Sequence, residues 1–384
     1  MLKRFLRIVS YILVAAIASF VTLCLVGYDQ QSYSKLEELE SLIERYFIDE
    51  YDMALLEDAA AEEMVAALGD RWSYYMTAQE YLIYREKMAN AYVGVGVSIT
   101  QREDGYINIV KVEADGPAAQ AGIQPGDLLI AVEERDISDL TVSEIQSMVK
   151  GEEGTTVRMT FRREDNDFTV DVERRSIKTV VAKGQMLESG LGLVSIVNFD
   201  SRCAEETLAV IEQLLEEGAQ GLIFDVRFNP GGYKDELVKI LDYLLPEGPL
   251  FRSVNFTGEE SVDQSDEKCL EIPMAVLING DSYSAAEFFA AALSEYGVAK
   301  LIGQPTTGKG HFQTTFALSD GSAAVISIGK YRTPNGVSLT GVGLTPDVLV
   351  ELDDETYWSI YYSRVPVEED PQIQAAVSAL LEKQ

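Results

Sequence analysis

The sequence predicts an α+β chain of several folded units behind an N-terminal membrane-spanning helix: a helical segment, a small β domain, then a strand–helix core. Three observations predict it. Residues 8–28 are apolar and uncharged, strand-like runs separated by turns fill residues 92–176, and strands alternate with helical stretches from residue 191 onward. A chain of 384 residues, 47% hydrophobic and 24% charged, is globular material with length for two or three units. The net charge of −32 argues against nucleic acid as a partner. A single histidine, His311, excludes multi-histidine metal sites within the chain, and a Ser-His-Asp or Cys-His enzyme would depend on that one residue. Neither a metal nor a cofactor is expected. Cys24, Cys203 and Cys269 form no disulfide framework and no CxxC site; at most Cys203 and Cys269 could pair.

Taking the elements in order, residues 8–28 are long enough to cross ~30 Å of hydrocarbon as a helix. Lys3, Arg4 and Arg7 precede the run, so the N-terminus is expected in the cytoplasm and the remainder outside it. The run is long for a signal-peptide core and no small-x-small site follows, which favours an uncleaved anchor over a cleaved signal. Residues 29–91 read as helical, with Leu36, Leu39, Leu42, Ile43 and Tyr46 at 3–4 spacing and Gly69-Asp70 as a stop; they show no chemistry of their own. Residues 92–177 form the β domain, with one short helix near 142–150. In residues 178–352 the strands LGLVSIV, GLIFDVR and MAVLIN each precede a helical stretch, which implies a parallel sheet flanked by helices. Strands return from Phe312, and residues 353–384 read as an acidic tail ending in a short helix.

Three motifs carry chemistry. In the first, Val93-Gly94-Val95-Gly96-Val97 opens the β domain and Gly116-Pro117-Ala118-Ala119-Gln120-Ala121-Gly122-Ile123-Gln124-Pro125-Gly126-Asp127 follows. Together they resemble a PDZ domain, which implies a glycine loop whose N–H groups hold a peptide's C-terminal carboxylate. In the second, Ser284 stands where an apolar strand meets an apolar helix. Ser284…Glu287 fits a capping box, yet a serine at a helix N-terminus also sits where developing negative charge is favoured. Lys309 lies 25 residues on, between Gly308 and Gly310. A lysine serves as a base only when neutral, so this one must be buried. In the third, Asn229-Pro230-Gly231-Gly232 ends a strand and can offer backbone N–H groups, or simply make a turn.

These residues together resemble the C-terminal processing peptidases, tail-specific serine proteases of the S41 type with a PDZ domain, over about residues 33–352. The resemblance implies an α/β ClpP/crotonase-like peptidase core and a Ser/Lys mechanism. It makes Ser284 the nucleophile, Lys309 its base and Gln313 the residue orienting the lysine. It implies an oxyanion hole from Ala285 and Gly231 or Gly232. Lys330–Gly336 and Gly343–Val348 resemble the closing strands, and Gly69–Tyr74 resembles a helical-segment signature written with proline where Arg71 stands. Tyr283 and Ala286 depart from the family's S-A-S-A-S-E, and Glu295 stands where the family has a supporting aspartate. The implied partners are protein or peptide substrates with free C-termini, and the membrane through the N-terminal helix; a homo-oligomer is compatible with the sequence. Two rival readings are a catalytically silent PDZ scaffold on a peptidase fold and a crotonase-like acyl-CoA enzyme. Retention of Ser284, Lys309 and Gln313 argues against the first, and the PDZ stretch with the Ser/Lys spacing against the second.

Overall fold

The computed structural model describes residues 34–382. The expected anchor, residues 8–28, lies outside the described residues. Among the described residues no helix is long and apolar enough to cross a membrane. Of these, residues 34–59 belong to one compact unit and residues 60–382 to another. In the first, helix Lys35–Tyr46 starts at a capping box in which Ser34 and Glu37 satisfy each other's backbone N–H.

In the second unit, the core is a six-stranded sheet. Ala182–Met186 pairs antiparallel with Gly192–Ile196. The rest is parallel, running through Leu222–Asp225, Met274–Ile278, Ala299–Gly303 and Val348–Leu349. Period-two alternation divides its side chains between two faces. Leu222, Phe224, Val276 and Ile278 pack against helices Cys203–Glu216, Lys234–Leu244 and Ala285–Glu295. Ile223, Ala275 and Leu277 face the other way, onto Ile373, Ala376 and Leu380 of helix Pro371–Leu381. The stretch read as a tail is therefore half of the core's cover. It is also bolted there, because buried Arg227 pairs with both Asp225 and Asp370 and donates to Gln372 Oε1. Those carboxylates hold the guanidinium charged, well above its ordinary range, despite its burial.

A second sheet joins Gly248–Asn255, Glu260–Ser265, His311–Ala317 and Ala323–Arg332, and the last of these also pairs with Tyr74–Met76. That three-residue strand interrupts a segment expected to be helical throughout. Its pairing with Ala323–Val325, about 250 residues away, supplies the ladder that local sequence does not signal. The β domain is a sheet of Val97–Gln101, Ile107–Val112, Leu128–Val132, Thr156–Arg163 and Asn166–Glu173, with helix Val142–Val149. The chain enters and leaves it through a two-stranded ribbon, Ala91–Gly94 against Arg175–Lys178. Cys203 and Cys269 are both free.

Candidate active site

Ser284 is reached by a tight turn after strand Met274–Ile278. Asn279 N–H donates to Ser282 Oγ, and Ser282 Oγ donates to the Val226 carbonyl. Tyr283 N–H donates to the Asn229 carbonyl. The turn is thus stitched to the Asn229–Gly232 turn beside it. Ser284 itself has φ 60° and ψ −127°, a conformation that costs a non-glycine residue about 1–3 kcal/mol. The bend raises the serine at the start of helix Ala285–Glu295.

The expected capping box is present, and its glutamate does more than cap. The Glu287 N–H also donates to the Ser284 carbonyl at 2.9 Å. The Glu287 carboxyl is fully buried and collects four donors. Oε2 accepts the N–H groups of Ser284 (3.0 Å) and Lys309 (2.8 Å). Oε1 accepts Thr306 Oγ1 (2.5 Å) and the Gly308 N–H (2.8 Å). Burial pushes this carboxyl above its ordinary value, against the pull of those donors. One side chain therefore ties the serine turn to the lysine loop. Sequence reasoning read the cap but not the second set of partners, which is 19–22 residues away.

Lys309 is half-buried and shares a cavity of about 980 Å³ with Ser284 and Gln313. Burial lowers its pKa from 10.5 to about 8, with Asp70 and Glu287 pulling upward. Its Nζ lies 4.6 Å from the ring centre of Trp72 and 5.7 Å from that of Tyr283. It makes no hydrogen bond to Ser284. Gln313 Nε2 donates to the His311 carbonyl and to Ser327 Oγ rather than meeting the lysine. From the segment Asp70–Ser73, assigned no chemistry from sequence, Trp72 lines the cavity. Burial would raise the Asp70 pKa, but hydrogen bonds from Ser327, Ser73 and Trp72 keep it low, so it is an anion beside the lysine. The only sequence signal for these residues was their likeness to a helical-segment signature.

The glycine turn packs directly against the serine. A Cβ on Gly231 would come within 2.7 Å of Ser284 Cβ and 2.8 Å of Ala285 N, so only glycine lets the turn close here. The Gly231 N–H is already given to Asn229 Oδ1, so of the two glycines considered it is Gly232 whose N–H is uncommitted. Ala285 N–H is the first of its helix and has no intrahelical partner. His311 opens a strand opposite Lys330, and Glu295 accepts from the Asn335 N–H at the far end of the serine helix.

A second cavity, about 590 Å³, lies between strand Val97–Gln101 and helix Val142–Val149. It is lined by Val97, Ile99, Ile145 and Val149, with Gly96 at one end. Val93 N–H faces Glu86 Oε1 at 3.5 Å, while Val95 and Gly96 N–H groups have no partner among the described residues. The Val95 and Gly96 carbonyls are held by Ala118 and Glu113, and Gly94 is paired opposite Arg175. Glu86, Lys87, Ala91 and Tyr92 line both cavities, which therefore adjoin.

A strand–turn–helix serine, a glycine turn and a half-buried lysine in one cavity, next to a peptide-groove β domain, describe a serine peptidase with its own tail-reading module. Comparison with known proteins specifies the family. The model of peptidase family S41 matches residues 190–350, and that of the PDZ domain residues 109–163. The carboxy-terminal processing protease CtpA of Bacillus subtilis (strain 168) is 30% identical over 368 residues, covering 92% of this chain and 79% of that one. The carboxy-terminal-processing protease of Bartonella bacilliformis is 30% identical over 336 residues, covering 84% and 76%. A probable CtpA-like serine protease of Staphylococcus epidermidis (strain ATCC 12228 / FDA PCI 1200) is 29% identical over 357 residues, covering 90% and 72%. The chain belongs to the S41 carboxy-terminal processing proteases, and the resemblance read from its motifs holds.

Proposed function

We propose that this protease is a membrane-anchored endopeptidase working outside the cytoplasm, that Ser284 and Lys309 are its reacting pair, and that it cleaves proteins at or near their C-terminal ends. The observation that carries the pair is the Glu287 carboxylate, which holds the N–H groups of both residues. Neutral Lys309 takes the Ser284 hydroxyl proton as Oγ attacks the scissile carbonyl carbon. The oxyanion is held by the N–H groups of Gly232 and Ala285. The lysine then returns the proton to the departing amine, leaving an acyl-enzyme that water hydrolyses with Lys309 again as base. A group titrating at about 8 is neutral about once in ten at pH 7, against roughly three in ten thousand for a free lysine.

The arrangement is a resting one. Lys309 Nζ sits over aromatic rings, an attraction of about 0.5–2 kcal/mol that substrate binding can override. In the active form Nζ swings to Ser284 Oγ and donates a hydrogen bond to Gln313 Oε1, which has no partner among the described residues. A substrate's free C-terminus in the Val93–Val97 loop favours that form. Ser284→Ala and Lys309→Ala are each expected to abolish cleavage of an unstructured substrate while leaving the melting temperature near that of the parent. Wild-type kcat/KM should rise with pH through about 8, because a lysine base is active only deprotonated. Near-parental turnover by Lys309→Ala would remove the lysine from the mechanism. The membrane reading rests on Lys3, Arg4, Arg7 and the apolar run 8–28. A reporter active only in the cytoplasm, fused after Gln384, should be silent, and an active fusion would reverse the orientation.

A further inference from the structure

Asp200 is a buried acid in the catalytic cavity that the proposed reaction does not use. It is 3% exposed and lines the same cavity as Ser284 and Lys309. Neither carboxylate oxygen accepts a hydrogen bond from the described residues, and Oδ1 is sealed in without a partner. No Lys or Arg of the described chain forms an ion pair with it; Lys87 acts only at longer range. Burial accordingly pushes this carboxyl up to about 7.

Its placement is rigid. The Asp200 N–H donates to Asn198 Oδ1, and its carbonyl accepts the Cys203 N–H. The preceding residue, Phe199, pairs with the glycine turn: its N–H donates to the Gly231 carbonyl at 2.8 Å and its carbonyl accepts the Tyr233 N–H at 2.7 Å. Asp200 is thus fixed beside Gly232, a donor of the oxyanion hole, and so beside the scissile bond. Tyr233 and Tyr283 line the same wall within electrostatic reach of it.

We propose that Asp200 is the specificity carboxylate of a substrate subsite, accepting a lysine or arginine side chain of the bound polypeptide at or next to the scissile bond. This rests on Ser284 and Lys309 being the reacting pair. A buried carboxylate without partners is costly, and a neutral donor would leave its charge uncompensated. An ammonium or guanidinium supplies both the charge and the hydrogen bonds, and tyrosine rings add attraction for a cation. The chain's charge of −32 draws basic segments toward it.

The test is a set of peptide pairs that differ at one position, lysine against the neutral isostere norleucine, scanned across the positions flanking the cleaved bond. The wild type should prefer lysine by about 10²-fold in kcat/KM at one position. Asp200→Asn, with Asp200→Ser as a second variant, should bring that ratio to about one. The ratio is internal to each enzyme, so a general loss of rate cancels from it. A ratio near one at every position in the wild type, with Ser284 still labelled by a fluorophosphonate, overturns the subsite alone. So does a lysine preference that survives in Asp200→Asn. Absence of both cleavage and labelling would overturn the Ser284 assignment and the subsite with it.

Discussion

Replacing Glu287 by glutamine changes one atom of the buckle between nucleophile and base, and its consequences follow from four hydrogen bonds. Both carboxylate oxygens accept two donors each. An amide has one oxygen, so whichever way it turns, its NH2 confronts a backbone N–H that can no longer donate. Two charge-assisted bonds are lost, each worth about 1.5–3 kcal/mol, so the gross loss is about 3–6 kcal/mol. Relief from burying a charge returns part of it. A melting experiment should therefore show a clear destabilisation. The effect on rate is separate. If the amide keeps the Thr306 side, Ser284 and Lys309 lose their shared anchor, and a displacement of about 1 Å costs on the order of 10² in kcat/KM. A purely structural role would not move the pH profile, but loss of this anion should. Glu287 pulls the Lys309 pKa upward, so its neutralisation should shift the midpoint of the pH–rate curve below about 8. The assay is kcat/KM for an unstructured peptide from pH 6 to 10, at a temperature where the variant is folded. A Glu287→Gln enzyme within threefold of the parent and with an unmoved midpoint would refute the reasoning.

Asp70→Asn should also lower the midpoint, because Asp70 is the strongest upward influence on Lys309, while leaving the Ser284–Glu287 bonds untouched; a midpoint that rises would mean that Lys309 does not set the profile. Amidating a substrate's C-terminus should slow its cleavage by removing the charge that the free N–H groups of Val95 and Gly96 are placed to hold, and Gly96→Val should do likewise because position 96 has φ +79°, which a β-branched residue adopts only under strain. Equal rates for acid and amide would show that the loop does not govern cleavage.

Much of the fold was legible because its signals are local. The helices starting at Cys203, Lys234 and Ala285 follow the three apolar strands as the alternation implied, and the parallel strands read as short apolar runs. The hairpin Gly248–Ser265 was not read, since its alternation is diluted by Arg252, Glu260 and Asp263. The strand Tyr74–Met76 and the covering helix Pro371–Leu381 owe their places to partners far along the chain. The same division runs through the site. Ser284, Lys309 and the glycine turn carry motif spacing. Glu287 read as a cap alone, Asp70 as a helix stop, and Asp200 gave no signal, because only folding supplies their neighbours.

The contacts at the root of the PDZ ribbon give tail binding a physical route to the oxyanion hole. Asn90, immediately before the ribbon, exchanges two amide hydrogen bonds with Asn198, and its carbonyl accepts Thr179 and Arg202. Asn198 holds the Asp200 N–H, and Phe199 between them is paired with the turn that carries Gly232. The ribbon root and the glycine turn are thus joined by a continuous chain of hydrogen bonds. Contact alone transmits nothing, since a tail that fits both arrangements equally shifts neither. To turn a mostly resting population into a mostly active one takes about 5.5 kcal/mol of differential binding. An apolar groove of about 590 Å³ with uncommitted N–H groups at its end has the apolar surface and the anion-binding donors from which such a difference is built.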